Sequence, residues 1–336
     1  MPTFCRHNRF IERCPVCSRE LAHDSPLRPA APGTRTRRSS SSGKERTRAQ
    51  RAAPGLRVRH ESRAVEDGYQ SGLVPGLRAS ADAERLAEEL AFSAQRLLAI
   101  ASSPTGVYAD VASAGASDPA WATWAALLLV YICPLEEGDP FASIRAALAA
   151  APGPGAPDAA AELPDPDALD LGPRTAHEAG RGPSTLRAFL EWAQRSGGIS
   201  AAFTGDAGWS PERRFARVFE RLALPGFGRA GRYDLLVVLG RAGVYDLAPD
   251  SLQLAPQRGV TVEDPATVAA KRVFGIADPL LLDRRAGALV REAGVPLAAL
   301  DLALANWAAP ERATIGVPPG GEPPAALAQI RAALSL

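Results

Sequence analysis

Lysine is almost missing from this chain: only Lys44 and Lys271 occur, and arginine supplies the rest of its 38 basic residues. The scarcity accompanies a high content of Ala, Arg, Gly and Pro and says little about function. Cysteine is also sparse, four in 336 residues, and three of the four fall within the first 17. That placement argues against the disulfide framework of a small secreted protein. Met1 to Arg19 is polar and basic with no apolar run, so no secretory signal is expected. The longest uncharged stretch, Pro119 to Leu135, is short for a membrane crossing and reads as a buried helix. Convincing strand patterns are lacking too, apart from short pieces such as Gly259–Val262. The expectation is a soluble, cytoplasmic, monomeric protein of all-α class.

Apolar residues make up 46% of the chain and charged residues 22%, which allows a sizeable core. The net charge of +1 hides an asymmetry: residues 1–80 hold 16 Arg/Lys against 7 Asp/Glu, and the remainder is acidic. A basic arm on a mildly acidic body suggests a polyanionic partner. Composition divides the chain into a Cys/His segment (1–24), an Arg/Ser/Pro/Gly-rich linker (25–80) and a helical body (81–336). The linker has too little apolar surface to offset its ordering entropy, and is expected to be disordered alone. It is either a plain solvated tether or a nonspecific phosphate-binding arm. Within the body, Pro/Ala/Asp-rich residues 151–174 form an expected mobile loop.

Helical periodicity runs over Ala83–Ile100, with Asp82 as N-cap, and over Ala120–Ile132, apolar nearly all round. It resumes at Ser184–Arg195, Pro211–Leu222, Ala230–Arg241, Pro265–Val273, Pro279–Ala293 and Pro296–Trp307. Several of these open with proline, whose missing N–H is harmless in a first turn.

Cys5, His7, Cys14 and Cys17 form a C-x-H-x6-C-x2-C pattern. Such a set supplies four N/S ligands for tetrahedral zinc, and a short segment without a core would gain its folding energy from the metal. His23 is a possible substitute for His7. Incidental reduced cysteines, or a redox pair at Cys14 and Cys17, are the alternatives. A four-ligand site is closed, so its role is structural. Cys133 reads as a packing residue.

The most informative stretch is Phe215–Leu254, in which two amphipathic helices are joined by Leu224-Pro225-Gly226-Phe227-Gly228. Two glycines permit a tight turn, and the second helix then begins with free N–H groups suited to a phosphate oxygen. Arg229 and Arg232 are expected to add charge at that edge. An ordinary αα-corner would look similar.

These residues resemble the helix-hairpin-helix DNA glycosylase superfamily, most strongly over Asp118–Leu254. The resemblance rests on LPGFG, on Asp250 in the context Ala248-Pro249-Asp250-Ser251, and on Asp118-Pro-Ala-Trp121 opening an apolar helix. The Arg/Phe-rich helix before the hairpin, AAKRVFGIADPLLLDRRA and LDLALANW are similar to one divergent branch, alpha-glutamyl/putrescinyl thymine pyrophosphorylase-like. That branch is associated with hypermodified phage DNA bases and includes antiphage glycosylases that remove glucosylated hydroxymethylcytosine. The resemblance implies a hairpin that grips the DNA backbone, often through a bound cation, and Asp250 as the catalytic carboxylate. Where lyase-competent members carry Lys, this chain has Ala230, which implies a monofunctional enzyme leaving an abasic site. Leu252 replaces the His of some relatives. Nothing in the residue spacing supports pyrophosphorylase chemistry.

The chemistry of Asp250 stands independently: a carboxylate near C1′ stabilises an oxocarbenium-like sugar and orients water, while the target base is flipped into a pocket. Asp250 can also cap a short helix. Asp301, in an apolar helix with Asn306 and Trp307, is a second candidate acid or a hydrogen-bonded core carboxylate. Lys271 is a candidate phosphate contact. His177 and Tyr131 are candidates for the base pocket, and Trp121 and Trp124 for packing. Asp234 and Asp246 are expected to make surface contacts with Arg232 or Arg241. A zinc-and-hairpin DNA-binding module without catalysis, or a base-modifying transferase, are the competing readings.

Overall fold

Asp118 begins the central element of the fold: its carboxylate accepts the Trp121 N–H at 2.9 Å and Pro119 occupies the first turn. Three other helices open the same way, with Ser210, Asp264 or Asp278 capping a helix that begins on proline. The side chain satisfies an orphan N–H and the proline has none to satisfy.

The computed structural model describes residues 64–151, 153, 163–254, 264–317 and 324–336. The described residues all belong to one unit, Glu61–Leu336. They form twelve α-helices: α1 Ser80–Ser102, α2 Val107–Ala114, α3 Pro119–Ile132, α4 Ala142–Ala150, α5 Gly182–Arg195, α6 Ile199–Thr204, α7 Pro211–Arg221, α8 Arg229–Arg241, α9 Pro265–Phe274, α10 Pro279–Ala293, α11 Ala298–Ala308 and α12 Pro324–Leu334. A 3₁₀ turn at Pro166–Ala168 lies between α4 and α5. No strand occurs among the described residues, and no described helix is long and apolar enough to cross a membrane. The all-α class expected from the sequence is thus observed.

From Ala122 to Ile132, α3 is buried without a break, and it packs against α2, α4, α6 and α8. An all-round apolar helix has no face to give to water, so it sits at the centre. Truncating a side chain such as Leu128, fully buried here, typically costs about 2–5 kcal/mol. On the other side, α1 packs against α11 and α12, and α9 against α10 and α11.

The start of α1 differs from expectation. Its first residue is Ser80, and Asp82 lies inside the first turn rather than capping it. Asp67 takes the capping role from the preceding segment, accepting the Ser80 N–H and hydroxyl. Those hydrogen bonds hold the Asp67 carboxyl below its ordinary range. Val74 and Leu77, in the stretch that composition assigned to the linker, are buried in the core. The packed body therefore reaches upstream of Ala81. The zinc set Cys5, His7, Cys14 and Cys17, with His23, lies outside the described residues. So do Gly259–Val262 and much of the expected mobile loop.

Candidate active site

Helices α7 and α8 are joined by the turn Leu224–Gly228. Phe227 N–H donates to the Leu224 carbonyl at 3.1 Å, closing the turn around Gly226, whose φ is +75°. A Cβ at Gly226 would also meet Thr185 Oγ1 at 2.2 Å, so both backbone and space demand glycine. Thr185 Oγ1 donates to the Pro225 carbonyl at 3.1 Å, fastening the turn to α5. Phe227 is buried against Tyr131 of α3, with ring centroids 6.2 Å apart. Pro225 and Gly228 are exposed, and Leu224 and Gly226 partly so. Gly228 caps α8 without a side chain, so no side chain accepts from the first N–H groups of that helix.

The two arginines of the first α8 turn do not add charge at this edge; both turn inward. Arg229 is buried and donates to both oxygens of Asp264, at 2.9 and 3.0 Å, and to Asp301 at 2.5 Å. Its remaining bond runs to the Leu252 carbonyl at 2.8 Å. Burial alone would weaken the guanidinium as a base, but Asp301 and Asp264 outweigh it and keep Arg229 firmly charged. Arg232 lies over the Phe219 ring at 4.3 Å and donates to the Phe219 carbonyl. Burial, with the neighbouring Arg229 charge, pushes its pKa down to about 10. The interior accepts these side chains because helix α8 is buried on nearly all sides, so even its first turn faces protein.

Asp301 is likewise a core group. It is 2% exposed, and its two oxygens are taken by Arg229 and Arg174. Asp264, whose carboxyl is lifted by burial but lowered further by Arg229 and Thr267, completes a chain Asp264–Arg229–Asp301–Arg174. Asp234 and Asp246 also depart from expectation. Asp234 is buried and pairs with Arg96 at 3.3 Å, and Asp246 pairs with Arg214.

Asp250 contrasts with all of these. It is exposed, and no hydrogen bond or ion pair engages its carboxylate among the described residues. Residues 251–254 are not helical, so no capping role is visible in the described part of the chain. Two residues on, Leu252 is fully buried, its N–H donates to Asp283 Oδ1 at 2.9 Å, and its carbonyl accepts from Arg229. Partial burial raises the Asp283 carboxyl above its usual range, the Leu252 N–H opposes this, and the Asp250 charge adds to the rise.

On the Arg174 side, Thr175 donates to the Tyr131 carbonyl at 2.6 Å. His177 then stands between Tyr131 Oη, 3.1 Å from Nδ1, and Asp167, 2.8 Å from Nε2. The Asp167 carboxyl is lowered by the His177 bond and by the Gly180 N–H. Burial raises the Tyr131 phenol against a Thr185 hydrogen bond. Tyr131, His177 and the hairpin are thus brought together. Lys271 lies in the last turn of α9. A cavity of about 170 Å³ bordered by Gln95, Ile100, Thr105 and Tyr108 includes none of the expected site residues. Among the described residues no group of three or more His, Cys, Asp or Glu is placed to hold a metal.

Sequence reasoning missed Asp283, Asp264, Arg174 and Asp167. Asp283 had a local signal, since it lies three residues before Ala286 on the buried stripe of α10.

The described residues define a helical body with a helix–turn–helix hairpin and, after its second helix, a loop carrying Asp250 that is anchored through Leu252. Residues 175–314 match the family model alpha-glutamyl/putrescinyl thymine pyrophosphorylase clade 3, in agreement with the branch resemblance. The matched stretch takes in His177, the hairpin, Asp250, Asp283 and Asp301, and leaves Tyr131 outside. No curated protein and no solved structure matches the chain.

Proposed function

We propose that the chain is a monofunctional DNA N-glycosylase of helix-hairpin-helix type that removes a modified pyrimidine, bulky or glucosylated, in defence against phage. The observation that carries this reading is Asp250: an exposed carboxylate, unengaged among the described residues, on a loop whose next residues are anchored by Leu252. The N–H groups at Gly228–Arg229, which no side chain caps, would hold a DNA phosphate, with Lys271 as a further contact. The flipped base would stand near Tyr131 and His177. The Asp250 carboxylate would stabilise positive charge at C1′ and orient the attacking water as the C1′–N bond breaks. Ala230 offers no amine, so the product is an abasic site without strand cleavage. A cation at the hairpin would have to share carbonyls already in use, since Leu224 and Pro225 each accept a hydrogen bond. The Cys5, His7, Cys14 and Cys17 donor set suits structural zinc, which would fold the segment around it and take no part in the reaction.

The test is abasic-site formation, read with an aldehyde-reactive probe, in unmodified phage DNA beside DNA carrying glucosylated hydroxymethylcytosine. Sites only in the modified DNA, lost in Asp250→Asn with DNA binding retained, are expected. No sites in either DNA, with binding intact, would favour a non-catalytic DNA-binding module. The matched family's description favours a second reading, a base-modifying transferase. Pyrophosphate release from a diphosphate-activated nucleotide would support it.

A further inference from the structure

We propose that Asp283 is a positioning residue that, together with Arg229, fixes the loop carrying Asp250. The inference rests on the glycosylase reading for its catalytic consequence, though not for its geometry. Leu252 is held at three points: its side chain is buried, its N–H donates to Asp283 at 2.9 Å and its carbonyl accepts from Arg229 at 2.8 Å. The two clamps come from different elements, the second turn of α10 and the first turn of α8. Arg229 is itself held by Asp264 and Asp301, so one jaw is rigid.

Asp283 makes one hydrogen bond among the described residues, through Oδ1, and its carboxylate lies close enough to Asp250 to feel its charge. A like charge beside Asp250 is unfavourable in itself. Its retention at a half-buried site is explained by the Leu252 N–H, which would otherwise be a buried donor without a partner. Among the described residues Asp250 has no protein partner, so the backbone of its loop sets where its carboxylate stands. A small misplacement of a reacting group has a large effect on rate.

The experiment uses the full chain with Asp283→Ala and Asp283→Asn, each checked for helicity and cooperative unfolding. The first readout is amide exchange of the 248–254 segment. Asp283→Ala should speed exchange at Leu252 about 10-fold or more, while Asp283→Asn, which keeps an acceptor oxygen, should stay near wild type. The second is excision of glucosylated hydroxymethylcytosine, where kcat should fall about 10–100-fold in Asp283→Ala with KM unchanged and recover in Asp283→Asn.

Unchanged exchange in Asp283→Ala overturns the proposal whatever the activity. Faster exchange with wild-type kcat overturns it as well, because the loop then needs no holding. If wild type leaves no abasic sites, the glycosylase reading fails, and exchange alone decides whether Asp283 holds the loop.

Discussion

Arg229 and Asp301 meet at 2.5 Å with 5% and 3% of their side chains exposed, joining the first turn of α8 to the first turn of α11. Desolvating both charges is costly, and the pair persists because each is satisfied again, Arg229 by Asp264 and Leu252, Asp301 by Arg174.

Removing one member strands the others. Asp301→Ala should destabilise the protein by about 3–5 kcal/mol in urea unfolding, because the buried Arg229 and the partly buried Arg174 lose a common partner. Asp301→Asn should cost less, keeping an acceptor. A loss under 1 kcal/mol would mean that water reaches the network.

The two hairpin glycines should separate stability from grip. Gly226→Ala places a Cβ at positive φ and against Thr185, and should lower stability by about 1–3 kcal/mol. Gly228→Ala meets nothing within 4 Å and has φ −68°, so unfolding should shift by less than about 1 kcal/mol. If the hairpin grips phosphate, that second variant should still weaken binding to a duplex oligonucleotide. Unaltered affinity would remove the turn from the DNA contact.

Two carboxylates should give opposite pH signatures. Asp264 titrates below its ordinary 3.8 in the fold, so its stabilisation is present above that value and is lost as pH falls through the lowered one. Asp283 titrates above 3.8, so its contribution is full below that value and is lost as pH rises through the raised one. Asp264→Asn should therefore lose most, relative to wild type, at neutral pH. Asp283→Asn should gain on wild type as pH climbs from about 4 towards neutral. Parallel stability curves for the two variants would contradict the assignment.

Metal analysis of the purified full chain should find about one zinc, absent from Cys14→Ser. Equal zinc in both proteins, or none in either, would remove the metal from the amino-terminal segment.

Much of the helical framework was legible because its signals are local. Proline after Asp or Ser marks the starts of α3, α7, α9 and α10 within a residue or so. Short helices were not legible: α2 has eight residues between Gly106 and Gly115, and α6 has six, too few for a periodic pattern to emerge. The hairpin could be read from LPGFG, but the direction of its arginines could not. Arg229 finds Asp264 35 positions away and Asp301 72 positions away, and no spacing rule connects them. Asp250 was proposed from its sequence context, and the anchoring of its loop through Leu252 came only from the fold.

Phe227, buried against Tyr131, has a consequence for any motion that accompanies ligand capture. Gly231 must also stay bare beneath it, since a Cβ there would come within 2.8 Å of the ring. The turn is therefore wedged into the central helix, and the spacing between turn and helix is set once, when the core forms. If the turn borders a substrate site, it would act like the fixed jaw of a caliper, and opening for a bulky substrate would fall to elements that lack such a wedge.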